Sequence, residues 1–275
     1  MSDVHKAVRD RYGEAAGGSS CCGGGHYDRE GSSSCCGGGT TEQVQQSTEF
    51  GYTIDELKTL PEGADLALGC GNPTALAALK PGEVVVDLGS GGGIDCFLAA
   101  SRVGTSGHVI GVDMTPEMIE RARDNAERAK AENVEFRLGE IEHLPIADAT
   151  ADAVISNCVI NLAPDKSQVL KEAFRVLRPG GRVMISDLVL DAELRSDLRH
   201  NMALLTGCIA GAMQKREFIR ALQRVGFTDV HIENETDYLS PDQLEPLAAE
   251  AGISEADAGE IARSVRSVSV YAARP

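Results

Sequence analysis

The chain has 275 residues, 42% of them hydrophobic and 25% charged, a composition typical of a globular protein with a sizeable core. Its 42 acidic and 26 basic side chains give a formal net charge of −16, which argues against nucleic acid as a partner because binding a polyanion requires a basic face. No apolar run is long enough to span a bilayer and the N-terminus has no signal-peptide core, so we expect a cytoplasmic protein without a membrane partner. Eight cysteines in such a chain should stay reduced, which argues against a disulfide scaffold.

Residues 1–52 are predicted to form a short N-terminal helix and a flexible arm rich in cysteine and glycine. The sequence SSCCGGG occurs twice in this arm, and each copy carries two adjacent cysteines, Cys21 with Cys22 and Cys35 with Cys36. Glycine and serine bury too little apolar surface to order such a segment by themselves. A disordered tail is therefore one interpretation of the arm, but it does not explain why the repeat keeps its cysteines.

Residues 53–275 show alternating strand and helix patterns and are predicted to form a single domain. The predicted strands are apolar runs bounded by turn residues: Glu83–Leu88, His108–Asp113, Val134–Leu138, Asp152–Asn157, Arg182–Asp187, Thr228–Glu233 and Ser267–Ala272. The predicted helices are Ile54–Thr59, Pro73–Leu79, Ile94–Val103, Pro116–Ala131 after the cap Thr115, Asp165–Leu177 and Lys215–Val225. This alternation predicts an α/β fold built of βαβ units, with a parallel sheet and helices on both faces.

A glycine loop, VDLGSGGGID, joins the first predicted strand to the helix that follows it. A dinucleotide-binding loop would have glycine at the sixth position counted from Gly89, but this chain has Ile94 there, which argues against a pyrophosphate cofactor. An acidic strand end followed by G-x-G is instead the pattern used for S-adenosylmethionine. Asp113 ends the second strand, where a carboxylate can bind both ribose hydroxyls. Its alternative role is to cap the next helix.

Four stretches, VVDLGSGGGIDCFLAA, VIGVDMTPEMI, VEFRLGEIEHLP and LRPGGRVMISD, resemble class I S-adenosylmethionine-dependent methyltransferases. More narrowly, LALGCGNPTALAALKPGE, GVDMTPEMI, ISNCVINLAPDK and GCIAGA are similar to arsenite methyltransferases. The similarity runs from about Val8 to the last predicted strand. It implies a Rossmann-like seven-stranded sheet and an enzyme that moves the methyl group of S-adenosylmethionine onto trivalent arsenic.

The resemblance also implies which residues bind the cofactor. They lie in the glycine loop and after the second, third and fourth strands: Asp87, Gly89, Ser90 and Gly91 around the cofactor, Asp113 and Met114 at the ribose and adenine, Ile141 and Glu142 beside the adenine, and Asn157 near the methionine portion. For Ile141 the alternative is a loop side chain that covers the core. Glu142 could equally be a solvated surface charge.

Three isolated cysteines lie in loops or at strand ends: Cys70, Cys158 and Cys208. Cys158 follows the fourth strand, at the edge where open α/β sheets bind ligands. Three thiolates suit trivalent arsenic, which keeps a lone pair that can attack a methyl carbon without a base to remove a proton. The resemblance implies the same three arsenic ligands. Cys96 lies inside a predicted helix among apolar residues, so we expect it to pack in the core.

The resemblance implies a fourth thiol from the N-terminal region, and its position favours Cys35 or Cys36 over Cys21 or Cys22. Methyl transfer leaves arsenic formally pentavalent, and a disulfide closing between Cys70 and this thiol would return two electrons. An external thiol reductant of the thioredoxin or glutathione type would then reopen the bond. Arsenite and methylated trivalent arsenicals are the expected substrates. Alternatively, the repeated CCGGG gathers arsenic and passes it inward.

Two other functions stay open. One is a quinone-type or other small-molecule C-methyltransferase, in which Cys158 and Cys208 would be core residues. The other is a non-catalytic thiol protein that binds arsenic, although the intact glycine loop with Asp113 argues against it. A tetrahedral zinc site is disfavoured because the cysteines lack C-x₂₋₄-C spacing. We expect an arsenic-binding excursion over about 188–214, and a helical excursion without recognisable chemistry over Ser240–Ser264.

Overall fold

The computed structural model describes residues 3–17, 45, 47–48, 51–66, 78–240 and 243–275. The predicted cysteine-bearing arm therefore lies outside the described residues, as do Cys70 and the first five residues of the predicted helix Pro73–Leu79. The described helices are α1 (Asp3–Gly17), α2 (Ile54–Thr59), α3 (Ile94–Val103), α4 (Pro116–Ala129), α5 (Lys166–Val176), α6 (Ser196–Arg199), α7 (Met202–Thr206), α8 (Lys215–Val225), α9 (Leu244–Ala251) and α10 (Glu255–Ser264). The described strands are β1 (Val84–Leu88), β2 (His108–Asp113), β3 (Val134–Leu138), β4 (Ala151–Asn157), β5 (Leu177–Leu190), β6 (Met213–Gln214), β7 (Thr228–Asp237) and β8 (Val265–Ala273). Within these ranges, every helix is too short or too polar to cross a membrane.

The strands form one open sheet in the order β3-β2-β1-β4-β5-β8-β7, and the short strand β6 pairs with the end of β5. Each predicted strand is present, and the predicted α/β class is confirmed. The predicted parallel pairing holds from β3 to β5, whereas β8 runs antiparallel to both β5 and β7. The direction of β8 follows from where it starts. The backbone N–H of Asp191, just after β5, donates to the carbonyl of Ser264, just before β8, at 2.8 Å. A strand that begins where its neighbour ends has to run back along it.

The largest difference in element bounds is at β5. The predicted helix ends at Leu177 and the next predicted strand begins at Arg182, but in the structure the strand already begins at Leu177. The backbone N–H of Gly180 donates to the backbone carbonyl of Arg274 at 2.9 Å. The backbone N–H of Arg274 donates to the carbonyl of Gly181 at 2.8 Å. These two glycines therefore extend the pairing of β5 with the chain end after β8, instead of forming a loop.

Alternate side chains of the buried strands face two helical layers, as expected for a sheet with helices on both faces. Val86 of β1 packs in the same cluster as Leu170 of α5. The neighbouring residue Val85 points to the other face, where it packs with Phe97 of α3 and Ile119 of α4. The core therefore lies in two layers, one on each side of the sheet.

A third apolar cluster, called here the edge cluster, covers the carboxyl ends of the strands. It combines Val8 of α1, Leu204 of α7 and Ile261 of α10 with Cys158 and Cys208. The segments after β5, which were expected to form excursions, thus close one end of the sheet. Two of the cysteines that were predicted to bind arsenic lie within this cover.

Gly111, in the middle of β2, lies where the packing leaves no room for a side chain. An added Cβ would lie 2.7 Å from Cδ1 of Phe136 and 2.8 Å from Sγ of Cys96. We expect Gly111→Ala to lower the free energy of unfolding by about 1–3 kcal/mol, measured by urea unfolding. The control is Gly259→Ala in α10, where the nearest atom belongs to the end of the Arg263 side chain at 3.5 Å. The control should be neutral or stabilising by up to about 1 kcal/mol, and equal stabilities of the two variants would contradict this packing.

Candidate active site

A cavity opens at the carboxyl edge of β1, β2 and β4, the edge at which the sequence predicted ligand binding. Its wall includes the glycine loop Gly89–Gly92, Asp113 and Met114 after β2, and Asn157 and Cys158 after β4. Helix α1 contributes His5, Val8 and Tyr12 to the same wall. The structure therefore brings most of the predicted cofactor residues to one place. Their roles in binding stay predictions.

The glycine loop has a tight turn that requires glycine. The backbone N–H groups of Gly89 and Ser90 donate to the carbonyl of Val112 at 2.8 and 3.1 Å. Gly89 has φ +69°, and an added Cβ would lie 2.5 Å from Cγ2 of Val159. Gly91 also has a positive φ, +51°, but no described atom lies within 4 Å of the position of its added Cβ. The loop is thus packed tightly at Gly89 and opens onto the cavity at Gly91.

Asp113 ties the glycine loop to the start of α4. One carboxylate oxygen accepts the N–H of Gly91 at 3.0 Å, and the other accepts the N–H of Thr115 at 2.8 Å. Burial raises the pKa of Asp113, and these backbone bonds oppose the rise. The Thr115 side chain and the backbone N–H of Met114 also bond this carboxylate and oppose the rise. Asp113 therefore holds the backbone just before α4, whose N-cap is Thr115, and it lies in the cavity wall.

Tyr52 and Asp95 form a polar network with Asn157 that the sequence did not predict. The two oxygens of Asp95 accept bonds from the Tyr52 hydroxyl at 2.8 Å and from Nδ2 of Asn157 at 3.1 Å. Nδ2 of Asn157 also donates to the Tyr52 oxygen at 2.9 Å. Burial raises the pKa of Asp95 to about 6. The signal for Asp95 was its position directly after the glycine loop, whereas no local pattern marks Tyr52.

Asp87 lies behind the cavity, outside the part of its wall that described residues form. The side chain is 2% exposed and accepts a bond from Sγ of Cys96 at 3.2 Å. Burial and the charge of Asp95 raise the pKa of Asp87 well above its usual range. Cys96 is fully buried in the core, as expected. If Asp87 contributes to cofactor binding as predicted, it would do so indirectly, through the glycine loop that follows it.

Ile141 and Glu142 also lie in the cavity wall. Glu142 is only 6% exposed. Its carboxylate oxygen Oε1 lies 3.0 Å from Nε2 of His5 in α1, within hydrogen-bond distance. This burial contradicts the alternative that Glu142 is a solvated charge. Ile141 is 7% exposed, so it covers the core and faces the cavity at the same time.

Cys158 and Cys208 are adjacent in space, although they are 50 residues apart in the sequence. Sγ of Cys208 donates to the backbone carbonyl of Cys158 at 3.0 Å. Both have positive φ, +55° at Cys158 and +65° at Cys208, a region that costs a residue with a side chain about 1–3 kcal/mol and that clusters at functional sites. Cys158 is disulfide-bonded, contrary to the expectation of fully reduced cysteines, whereas Cys96 and Cys208 are free thiols.

The surroundings of Cys208 hold its sulfur protonated. Burial raises the pKa of this thiol well above its usual range, and the charge of Asp187 raises it further. A hydrogen bond from Tyr12 and the charges of Arg11 and Lys166 act in the opposite direction. A ligand that takes the sulfur as a thiolate must therefore also remove its proton.

Asp187 should make the stability of the protein depend on pH. Burial raises its pKa to about 7, against bonds from backbone N–H groups that include that of Leu188 at 2.8 Å. The folded state therefore binds this proton more tightly than the unfolded chain, in which the pKa is about 3.9, so the contribution of Asp187 to stability falls as pH rises between about 4 and about 7. We expect urea unfolding to show wild type losing stability relative to Asp187→Asn over this range. A difference that stays constant with pH would contradict the assignment.

The comparisons with known proteins agree with this arrangement. The family model described as "Methyltransferase domain" matches residues 79–226. An arsenite methyltransferase of Halobacterium salinarum is 51% identical over 242 residues, which cover 86% of this chain and 61% of the relative. An arsenite methyltransferase of Aquipseudomonas alcaligenes is 45% identical over 62% of this chain and 50% of the relative. The chain thus spans about half to three fifths of the length of these curated relatives.

For one relative of known structure, the alignment with this chain covers a larger share of the relative's length. The crystal structure of CrArsM, an arsenic(III) S-adenosylmethionine methyltransferase from Chlamydomonas reinhardtii, aligns with a TM-score of 0.61 at 35% identity. The alignment covers 84% of this chain and 73% of that protein. Together with the family model, this match shows that the chain belongs to the methyltransferase-domain family and, within it, to the family of the arsenic(III) S-adenosylmethionine methyltransferases.

Proposed function

We propose that the chain transfers the methyl group of S-adenosylmethionine to trivalent arsenic, its substrate. The observation that carries this proposal is the pair Cys158 and Cys208. Both have left-handed backbone conformations, and Sγ of Cys208 lies 3.0 Å from the carbonyl oxygen of Cys158. Cys158 lies in the wall of the cavity that the glycine loop and Asp113 also line. A methyltransferase for quinones would not need two cysteines in strained backbone at this position.

The residues around the cavity fit the methyl donor. The Ser90 hydroxyl is buried and has no hydrogen-bond partner among the described residues, so it is available to a polar ligand atom. Gly91 faces open space, and Asp113 can accept the ribose hydroxyls. Met114 and Ile141 offer apolar surface to the adenine, and Asn157 would lie near the methionine portion. When bound, S-adenosylmethionine supplies an electrophilic methyl group on a sulfonium.

For this methyl transfer, the main task of the protein is to position arsenic and the methyl donor. When a thiol binds arsenous acid, the sulfur replaces a hydroxide, and the thiol proton leaves with that hydroxide as water. The raised pKa of Cys208 is therefore no obstacle. Arsenic held by sulfur keeps its lone pair, so the cavity does not need a general base. The contribution of Cys158 and Cys208 would be to hold arsenic in a fixed place beside the donor.

A thiol reductant forms the second part of the proposal. Cys158 is disulfide-bonded, so it must be reduced before it can bind arsenic. A reductant of the thioredoxin or glutathione type in the cytoplasm would serve this step and the reopening of a bond between Cys70 and Cys35 or Cys36. The redox roles of these last three cysteines lie outside the described residues and rest on the sequence.

The direct test incubates the protein with labelled S-adenosylmethionine, arsenite and a thiol, and separates the products. Methylated arsenic is the expected product. A labelled quinone with no methylated arsenic would support a C-methyltransferase, and arsenic binding without turnover would support a sequestering protein.

The redox proposal predicts that Cys70→Ser, or Cys35→Ser combined with Cys36→Ser, blocks methylation of inorganic arsenite. Methylation of an already methylated trivalent arsenical should be less sensitive to Cys70→Ser, because that substrate needs only two protein sulfurs. Thiols trapped after one turnover without reductant, and mapped by mass spectrometry, should show Cys70 in a disulfide. Cys70 found free in every turned-over molecule would exclude it as the electron source.

A further inference from the structure

The two cysteines proposed to bind arsenic lie in separate turns, and the backbone of each turn is strained. Cys158 has φ +55° and Cys208 has φ +65°. Backbone of this kind persists only where the surrounding structure holds it in place. Two sulfurs that bind one arsenic atom must also come into direct contact with each other. The protein therefore needs contacts that hold each turn and contacts that set the distance between them.

Asn161 fastens the turn that contains Cys158 to the end of β5. Its side chain is 4% exposed, and Nδ2 donates to Oδ1 of Asp187 at 2.8 Å and to the carbonyl of Leu188 at 2.6 Å. The backbone N–H of Asn161 donates to the other carboxylate oxygen of Asp187 at 3.3 Å. The N–H of Cys158 donates to the carbonyl of Ser186 at 2.8 Å. This turn is therefore bonded to three consecutive residues of β5.

Gly211 brings the turn that contains Cys208 against the same asparagine. An added Cβ at Gly211 would overlap the carbonyl oxygen of Asn161 and would lie 3.2 Å from its carbonyl carbon. The φ of Gly211 is not in the left-handed region, so the close approach of the two backbones is what requires glycine here. Three residues earlier, Sγ of Cys208 donates to the carbonyl of Cys158 at 3.0 Å. The two turns thus meet at two points.

We propose that Asn161 and Gly211 are positioning residues that hold Cys158 and Cys208 at the spacing needed to bind one arsenic atom together. The inference rests on the proposed function. Neither positioning residue lies in the described wall of the donor cavity, and neither supplies a sulfur. A substrate held by two groups binds far more tightly than by either group alone, provided that both can reach it at once. The spacing of the turns therefore sets the affinity for arsenic.

The test compares an arsenical that binds two sulfurs with one that binds a single sulfur. Methylarsenous acid, the substrate, has two exchangeable hydroxyls, whereas dimethylarsinous acid has one and should act as an inhibitor. Asn161→Ala removes the side-chain bonds to β5, and Gly211→Ala forces the two turns apart. Each should raise the KM for methylarsenous acid about 10- to 100-fold, the scale on which residues that orient metal ligands change affinity, and change kcat less. The inhibition constant of dimethylarsinous acid and the calorimetric Kd of S-adenosylhomocysteine should stay near wild type.

The matched controls carry the same substitutions near the amino ends of β2 and β3, far from the two turns. The Asn133 side chain also donates to two backbone carbonyls, those of Ala100 at 3.1 Å and Gly104 at 3.0 Å. An added Cβ at Gly107 would lie 2.7 Å from the carbonyl oxygen of Glu83. Asn133→Ala and Gly107→Ala should therefore lose stability in urea unfolding and keep the wild-type KM.

An unchanged KM in Asn161→Ala or Gly211→Ala protein that binds S-adenosylhomocysteine would overturn the inference. An equal loss of affinity for both arsenicals would overturn it too, because that result would indicate general damage and not a lost spacing. If one variant does not fold, the other decides, since the two substitutions act from different turns. Wild-type protein that methylates no trivalent arsenical would contradict the proposed function itself, and this inference with it.

Discussion

Replacing Cys208 with serine should abolish methylation of inorganic arsenite and leave the affinity for S-adenosylmethionine near its wild-type value. A serine hydroxyl is a hard ligand that stays protonated at neutral pH, so it replaces a thiolate poorly at a soft trivalent centre. It can still donate to the carbonyl of Cys158, as the thiol does at 3.0 Å, so the local fold should persist. Radiolabel transfer from the donor measures the activity, and calorimetry measures the binding of the donor.

Cys96→Ser is the matched control for this experiment. Cys96 is also a buried free thiol that donates to an oxygen, here a carboxylate oxygen of Asp87 at 3.2 Å. A serine there keeps the donor and lies in the core under the sheet, away from Cys158. The control should therefore keep arsenite methylation. If Cys208→Ser methylates arsenite at the wild-type rate, the assignment of Cys208 to arsenic is wrong.

The sequence predicts the strands and the glycine loop well because both are local patterns. A buried β-branched run such as that of β1 has few alternatives to a central strand, and a loop in which Gly89 and Gly91 take positive φ has few alternatives to glycine. The same holds for Asp113, whose position at a strand end and at the carboxyl edge follows from the order of elements alone.

Features that depend on distant packing could not be predicted. The direction of β8 depends on where α9 and α10 lie, and nothing in its alternating sequence encodes that. His5, Tyr12 and Tyr52 enter the cavity wall because α1 and the segment before α2 pack across the sheet edge. The predicted boundary after residue 52 separates these residues from the cavity they line. The left-handed backbone at Cys158 and Cys208 is likewise invisible in the sequence, since cysteine carries no preference for it.

Asp113→Ala should weaken binding of S-adenosylmethionine by about 2–3 kcal/mol, the scale of hydrogen bonds to a charged acceptor. The structure adds a second reason, because the substitution also removes the acceptor of the Gly91 and Thr115 N–H groups and loosens the loop that faces the donor. The fold should survive, since Asp113 lies at the edge of the sheet. Calorimetry measures the affinity, and urea unfolding shows how much stability is lost.

A control has to separate the loss of affinity from the loss of stability. Asp165 accepts the backbone N–H of Gln168 at 3.0 Å as the cap of α5 and is absent from the described cavity wall. Asp165→Ala should cost about 1 kcal/mol of stability, as the loss of a helix cap does, and leave the affinity for the donor unchanged. If Asp113→Ala behaves like Asp165→Ala, with reduced stability and unchanged affinity, another acidic residue binds the ribose.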